Sequence, residues 1–210
     1  LPKYLEYCTI KIVTSKIFKI CRVSFRRDVS NLFSSGDLLS LREYTKNRQG
    51  ELDMEKLRKK LGFICDMDGV IYHGNTLLNG VKEFVEWLYK TNKKFLFLTN
   101  NSQKSPKELQ QKLQRMGLDV PAENFYTAAL ATASFLQSQG ASTAYVIGDA
   151  GLTNALYDVG ITINDVDPEY VVIGETENYN FESIKKATML VNKGARLIGT
   201  NADITTPTDK

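Results

Sequence analysis

The stretch Phe63-Ile64-Cys65-Asp66-Met67-Asp68-Gly69-Val70 decides the fold. It reads as an apolar strand that ends in two aspartates one residue apart, followed by a glycine that lets the backbone bend. Ligands of an open parallel sheet bind at the carboxyl ends of its strands. We therefore expect Asp66 and Asp68 to turn toward one pocket, where two carboxylates can hold a hard cation such as Mg²⁺.

Two other interpretations of this stretch have to be weighed. Aspartates in an isolated Asp-x-Asp-Gly sequence often do no more than cap turns. An EF-hand is excluded for two reasons. The twelfth position of its loop would be Leu77 rather than an acid, and the loop follows a strand, whereas an EF-hand loop follows a helix.

A second apolar strand stops at polar residues one βαβ step later, at Phe95-Leu96-Phe97-Leu98-Thr99-Asn100-Asn101-Ser102. The Thr99 hydroxyl can donate a hydrogen bond to a phosphoryl oxygen, and the amides that follow can add more. The alternative is that Ser102 or Ser105 caps a helix and Thr99 is an ordinary strand residue. Together, the two strand ends favour a phosphate-binding edge.

Strands and helices alternate along the rest of the chain. Val81, Phe84, Val85 and Leu88 have the spacing of a buried helical stripe, and the segment from Ser105 to Glu108 has the pattern of a capping box. Strict alternation predicts an α/β fold with parallel sheets covered by helices. Further strands are predicted at Phe125–Thr127, Ala144–Gly148, Tyr170–Gly174 and Arg196–Thr200, and helices near Ala128–Gln137, Leu152–Asp158 and Phe181–Asn192.

The composition excludes several classes of protein. Hydrophobic residues make up 42% of the chain, which is ample for a buried core. One histidine (His73) and three widely spaced cysteines exclude HExxH metalloenzymes, CxxC zinc sites and disulfide-stapled scaffolds. No uninterrupted apolar run approaches the roughly 18 residues of a membrane span. We therefore expect a cytoplasmic protein with no membrane partner.

The net charge of +3 is unevenly distributed. Residues 1–60 hold 14 basic and 7 acidic side chains, whereas residues 61–210 hold 13 and 17. The mildly acidic main part argues against a nucleic-acid groove. We expect residues 1–53 to be a basic leader of doubtful relevance, with Met54 as the natural start, and the alternative is a basic targeting presequence.

The motifs from Asp66 to Gly74 and from Leu98 to Ser102 resemble the haloacid dehalogenase (HAD) superfamily of phosphatases, specifically its NagD-like subfamily IIA. The resemblance runs from about Met54 to Lys210. It implies a Rossmann-like, parallel-sheet HAD core whose N-terminal part is residues 54–142, and a partial α/β cap domain at residues 143–210. The cap resemblance rests on Val146-Ile147-Gly148, Gly151-Leu152, Val171-Val172-Ile173-Gly174-Glu175 and Gly199-Thr200-Asn201-Ala202-Asp203.

The resemblance also implies residue roles. Asp66 would be the nucleophile that attacks phosphorus, and Asp68 would protonate the leaving oxygen and later activate water. Mg²⁺ would be held by the Asp66 carboxylate and the Asp68 backbone carbonyl. Thr99, helped by Asn100, would bind the transferring phosphoryl group. Such a reaction needs its negative charge neutralised, which the metal and the donors would do.

Other features of the resemblance are less complete. Asn201 and Asp203 could touch substrate, although capping of a turn explains them about as well. The family has two further elements after the cap: a lysine that offsets the charge around nucleophile and phosphate, and a strand that ends in Gly-Asp and completes the metal site. Neither is found before Lys210. Gly148-Asp149 imitates the latter, but no acid follows it closely, so Asp149 is interpreted as a surface turn residue. On this basis we expect the C-terminal part of the core to be missing from this chain.

The predicted function is a Mg²⁺-dependent phosphatase that hydrolyses small phosphomonoesters through an aspartyl-phosphate intermediate. The implied substrates are nucleoside monophosphates, sugar phosphates and p-nitrophenyl phosphate. This chain alone is expected to be inactive or nearly so. The alternatives are a truncated, non-catalytic remnant that binds phosphate without turnover, and a phosphotransferase or mutase, from which the cap pattern points away. The predicted partner is a small phosphorylated metabolite, with a cap-mediated homodimer allowed for the longer protein.

Overall fold

The structure is a computed structural model, and it describes residues 58–202. The predicted leader at residues 1–53 and the candidate substrate residue Asp203 lie outside the described residues. Within residues 58–202, none of the helices combines the length and the apolar character that crossing a membrane requires.

Strands and helices alternate through the described part of the chain, as the sequence predicts. In chain order the elements are β1 (Gly62–Asp66), β2 (Tyr72–His73), β3 (Thr76–Leu77), α1 (Val81–Lys90), β4 (Lys94–Thr99), α2 (Pro106–Arg115), a 3₁₀ turn (Ala122–Asn124), β5 (Phe125–Thr127), α3 (Ala128–Ser138), β6 (Thr143–Ile147), α4 (Ala150–Asp158), β7 (Thr162–Ile163), β8 (Tyr170–Ile173), α5 (Phe181–Asn192) and β9 (Arg196–Gly199).

The first sheet, which we call the core sheet, is parallel and has the spatial order β1-β4-β5. Both neighbouring pairs are joined through helices, because parallel strands need a crossover. Helix α1 buries Val81, Phe84, Val85 and Leu88, the stripe that its spacing predicts. Its Phe84 ring meets Phe63 of β1 edge-on, with ring centroids 5.9 Å apart. Aromatic packing therefore holds this helix on the sheet.

Helix α2 begins at a capping box. The Ser105 hydroxyl accepts the backbone N–H of Glu108, and the Glu108 carboxylate accepts the backbone N–H of Ser105 in return. Pro106 occupies the first helical position, where its missing N–H costs nothing. Ser105, and not Ser102, is therefore the cap, which leaves the Ser102 hydroxyl for other partners.

The second sheet is parallel with the order β7-β6-β8-β9. Its central strand β8 is buried along most of its length, and Val171 and Val172 have no exposed surface. Such a continuous apolar strand is typical of a parallel sheet covered on both faces. The two sheets with their helices confirm the α/β class.

Two parts of the fold were not predicted. A short antiparallel hairpin pairs β2 with β3, and β7 adds a two-residue strand to the second sheet. Strands of two residues are too short to show an alternating pattern. The bounds of the predicted elements otherwise agree with the structure within two residues.

Candidate active site

The carboxyl ends of the core strands lie side by side at one edge of the sheet. Asp66, the last residue of β1, pairs with Leu98, the residue before Thr99. Thr99 in turn pairs with Thr127 at the end of β5. Since neighbouring strands are about 4.8 Å apart, the sequence-predicted Asp66 and Thr99 emerge next to each other.

A tight turn after β1 carries the second aspartate. Met67 is fully buried, whereas Asp66 is half-buried and Asp68 is exposed. This alternation continues that of the strand, and it is the pattern expected when both acids lie on the side opposite Met67. Gly69 has a φ of 72°, a conformation that favours glycine. The Met67 carbonyl accepts the N–H groups of Val70, Ile71 and Tyr72 at 3.2, 2.8 and 3.3 Å.

Hydrogen bonds orient the polar side chains at both strand ends. The Asp66 Oδ1 atom accepts the N–H of Met67 at 2.8 Å, which orients its carboxylate. The Thr99 hydroxyl accepts the N–H of Asn101 at 3.1 Å. That bond uses the oxygen as acceptor, so the hydroxyl proton can be donated to a phosphoryl oxygen. Asn100 lies half-buried between Thr99 and Asn101.

The ends of the second sheet meet the core sheet at the loop after β4, residues 100–104, which we call the β4 loop. Ser102 of this loop has no exposed surface. Its Oγ accepts the N–H of Glu175 at 2.9 Å and the hydroxyl of Thr200 at 3.2 Å. Glu175 follows β8 and Thr200 follows β9, so one serine receives hydrogen bonds from two strand ends of the second sheet.

Glu175 adds a carboxylate that the sequence reasoning did not assign to the site. Its Oε2 accepts the side-chain N–H of Asn101 at 3.3 Å. Its pKa is raised, chiefly because partial burial disfavours the charged form, and further because Asp68 and Asp149 repel it, while Asn101 and Lys104 act in the opposite direction. The coupling to Asp68 places Glu175 close to the predicted catalytic pair.

Asp149 was interpreted as a surface turn residue, and the structure corrects this interpretation. It is half-buried at the N-cap of α4, and its Oδ1 accepts the hydroxyl of Thr176 at 2.7 Å. It therefore lies in the group of polar side chains that surrounds the β4 loop. A signal was present in the sequence, since Asp149 and Glu175 each lie one glycine beyond the end of an apolar strand, and polar residues likewise follow β4, there without a glycine.

Of the two candidate substrate residues, the structure describes one. Asn201 lies half-buried beyond β9, one residue after Thr200. Because Thr200 is bonded to Ser102, Asn201 is held on the side of the second sheet that faces the β4 loop.

The site offers oxygen ligands, which is the donor type that Mg²⁺ prefers. These are the carboxylate of Asp66 and the backbone carbonyl of Asp68. Within residues 58–202, no group of three histidine, cysteine, aspartate or glutamate side chains could hold a metal ion. The donor set therefore fits Mg²⁺ in kind, and an ion there would need water or a phosphoryl group to complete its coordination.

Comparison with known proteins agrees with this arrangement. The model of the haloacid dehalogenase-like hydrolases matches residues 63–162. Dihydroxyacetone phosphatase from Corynebacterium glutamicum is 45% identical over 148 residues, which are 70% of this chain and 54% of that protein. Ribonucleotide monophosphatase NagD from Escherichia coli K12 is 41% identical over 140 residues, 67% of this chain and 56% of that protein.

Solved structures show the same fold. NagD from the E. coli K-12 strain superposes with a TM-score of 0.67 at 39% identity, covering 70% of this chain and 59% of that one. Glycerol phosphate phosphatase from Mycobacterium tuberculosis, in complex with magnesium, superposes with a TM-score of 0.66 at 25% identity, covering 71% and 46%. The chain thus spans little more than half the length of the curated relatives it matches. Shared sequence, shared fold and the paired strand ends lead to one conclusion, that the chain belongs to the haloacid dehalogenase-like hydrolases, in their NagD-like subfamily.

Proposed function

We propose that the chain carries the nucleophile and the phosphate-binding loop of a phosphatase that hydrolyses small phosphomonoesters. The observation that carries the proposal is the register of the core sheet, which sets Asp66 beside the Leu98–Thr99 strand end. A nucleophile and a hydrogen-bond donor next to each other are what attack on a phosphoryl group requires.

The first step forms an aspartyl-phosphate. The Asp66 oxygen that does not accept the Met67 N–H attacks phosphorus, and the bond from phosphorus to the ester oxygen breaks. Asp68 donates its proton to that leaving oxygen, so the alcohol departs neutral. The Thr99 hydroxyl and the amide of Asn100 donate hydrogen bonds to the phosphoryl oxygens, where negative charge accumulates.

The second step returns the enzyme to its starting state. Asp68, now a carboxylate, takes a proton from water, and the water oxygen attacks the phosphorus of the aspartyl-phosphate. The bond between phosphorus and the Asp66 oxygen breaks, which releases inorganic phosphate and restores the Asp66 carboxylate. The exposure of Asp68 supports this role, because its side chain can reach both leaving group and water.

Mg²⁺ belongs to the same proposal. Asp66 and Asp68 would hold it, and the ion would neutralise the charge between the anionic nucleophile and the anionic phosphoryl group. The oxygen donors of the site support this choice, as does the magnesium complex of the glycerol phosphate phosphatase structure.

The proposed substrate class is broad. The relatives are named for dihydroxyacetone phosphate and for ribonucleotide monophosphates, and the magnesium-bound structure for glycerol phosphate. These have in common a phosphomonoester on a small organic group. We extend the class to sugar phosphates and to p-nitrophenyl phosphate, and we assign the choice among them to the second sheet, acting as a cap.

Phosphate release from p-nitrophenyl phosphate with Mg²⁺ tests the proposal in the full chain. Asp66→Asn should abolish the turnover that the wild-type chain shows, because it removes the nucleophile. Asp158→Asn is the matched control, since Asp158 is exposed at the end of α4. Acid quenching followed by mass spectrometry should find phosphate on Asp66. Turnover that survives in Asp66→Asn would refute the proposal.

A second candidate is phosphate binding without turnover. It is favoured by the lack, within residues 58–202, of a three-ligand metal group, and for the same reason we propose that turnover by this chain alone is slow. Titration with inorganic phosphate, followed by ³¹P NMR, separates the possibilities. Binding without turnover supports the second candidate, robust turnover contradicts it, and absence of binding contradicts both.

A further inference from the structure

The β4 loop is shaped from within by the side chain of Asn101. Its Oδ1 accepts the backbone N–H of Gln103 at 3.1 Å and that of Lys104 at 2.9 Å. Its own backbone N–H donates to the Thr99 hydroxyl. The loop can keep this shape only while the amide oxygen of Asn101 faces the loop, because the NH₂ group cannot accept those two hydrogen bonds.

Glu175 determines which way that amide faces. A carboxylate can only accept hydrogen bonds, so its 3.3 Å contact with Asn101 requires the NH₂ group on the Glu175 side. The amide oxygen is then directed to Gln103 and Lys104. The Gln103 side chain also accepts from the same NH₂ group, at a longer 3.4 Å.

The backbone around Glu175 is fixed against the same loop. Its N–H donates to the buried Ser102 hydroxyl at 2.9 Å. At Gly174, the residue before it, a Cβ atom would lie 2.5 Å from the Leu152 side chain and 3.0 Å from Ser102 Oγ. A side chain at residue 174 would require Leu152 and Ser102 to shift, so glycine favours this close approach to the β4 loop. The position of the Glu175 backbone is therefore set by its contacts with the β4 loop.

We propose that Glu175 is a positioning residue, which acts through Asn101 to hold the Thr99 hydroxyl and the β4 loop in the arrangement that receives phosphate. The inference rests on the proposed function, because it assigns a task to a residue of the second sheet within that site. It also explains a charge that is otherwise unfavourable. A carboxylate near an anion-binding loop repels the anion, so charge alone would make Glu175 a hindrance.

Two substitutions at this position separate geometry from charge. Glu175→Gln removes the charge and keeps an oxygen that can accept from Asn101, whereas Glu175→Ala removes both. We expect Glu175→Gln to bind inorganic phosphate at least as tightly as the wild type, in full-length chain with Mg²⁺, measured by calorimetry. Glu175→Ala should bind about fivefold more weakly than Glu175→Gln, the effect of one lost net hydrogen bond. Glu177→Ala, an exposed neighbour, should match the wild type.

A donor-acceptor exchange gives a second test at constant net charge. Asn101→Asp alone places two carboxylates opposite each other, and we expect about fivefold weaker phosphate binding from the broken contact. The double variant Asn101→Asp with Glu175→Gln restores a donor opposite an acceptor and keeps the wild-type charge. Its phosphate affinity should return to within about twofold of the wild type.

Amide hydrogen exchange reads the loop without any ligand. Exchange at Gln103 and Lys104 should accelerate in Glu175→Ala and stay near the wild-type rate in Glu175→Gln. Equal phosphate affinity in Glu175→Ala and Glu175→Gln would overturn the inference, as would unchanged exchange in Glu175→Ala. If the wild type binds no phosphate, the proposed function fails, and hydrogen exchange alone then decides whether Glu175 holds the loop.

Discussion

Replacing Gly151 with alanine would push a methyl group into the backbone of the β4 loop. A Cβ atom at this position would lie 2.4 Å from the Gln103 carbonyl oxygen and 2.7 Å from the Lys104 carbonyl carbon. These atoms belong to the main chain, so they cannot move aside as a flexible side chain could. The Gly151 N–H also donates to the same Gln103 oxygen at 3.0 Å, so any displacement stretches that hydrogen bond.

The magnitude follows from three contributions to the free energy of unfolding. Overpacking against backbone costs about 1–3 kcal/mol. Loss of the Gly151 hydrogen bond costs about 0.5–1.5 kcal/mol. Alanine recovers at most about 1 kcal/mol, because Gly151 lies in the first turn of α4 and alanine favours helix. The net effect should be a destabilisation of about 2 kcal/mol, or about 4–8 °C in Tm.

Urea unfolding followed by circular dichroism measures this change. Gly199→Ala is the matched control, since a Cβ there would meet only the Asn201 carbonyl oxygen at an ordinary 3.6 Å. We expect the control to stay within about 0.5 kcal/mol of the wild type. If Gly151→Ala proved as stable as Gly199→Ala, the close contact between α4 and the β4 loop would be refuted.

Three further outcomes are expected. Ser102→Ala should lower stability by about 1–3 kcal/mol in urea unfolding, because it leaves the Glu175 N–H and the Thr200 hydroxyl without their buried acceptor; a loss below about 0.5 kcal/mol would contradict this. Thr99→Val should weaken phosphate binding in calorimetry while Thr91→Val, exposed at the end of α1, leaves it unchanged. Folding raises the pKa of Glu175 above its usual value, chiefly through burial. The folded chain therefore binds the proton of the Glu175 carboxyl group more tightly than the unfolded chain does. The stability that this proton contributes is lost as pH rises through the folded pKa. The free energy of unfolding, measured from about pH 4 to 8, should therefore fall less steeply with rising pH in Glu175→Gln than in the wild type. Identical slopes would refute that effect.

The core sheet and its helices could be predicted because each element has a recognisable local sequence pattern. The buried stripe of α1 and the capping box at Ser105 are patterns of residues a few positions apart, and both are present in the structure. Asp66 and Thr99 could be singled out for a similar reason, since each ends an apolar strand. Strand pairing then places them together without any further information.

The contacts between the two sheets could not be predicted in the same way. Ser102 was assigned to capping or to the phosphate-binding edge, yet its partners lie 73 and 98 residues further along the chain. Asp149 was assigned to a surface turn, and its partner Thr176 is 27 residues away. The Ser102 pairs depend on how one sheet docks on the other, and the Asp149 pair depends on β6 and β8 lying side by side in the second sheet. No local periodicity encodes either arrangement.

Among residues 58–202, at least four hydrogen bonds join the β4 loop to the second sheet and its helix α4. Two are at the Ser102 hydroxyl, one runs from Asn101 to Glu175, and one runs from Gly151 to Gln103. If each of these four hydrogen bonds contributes about 1 kcal/mol, separating the second sheet from the β4 loop costs about 4 kcal/mol. On the order of one molecule in a thousand is then in this separated, open form at any moment. A small molecule on its way to or from the Asp66 edge must then either pass through the closed form or wait for the rare open one.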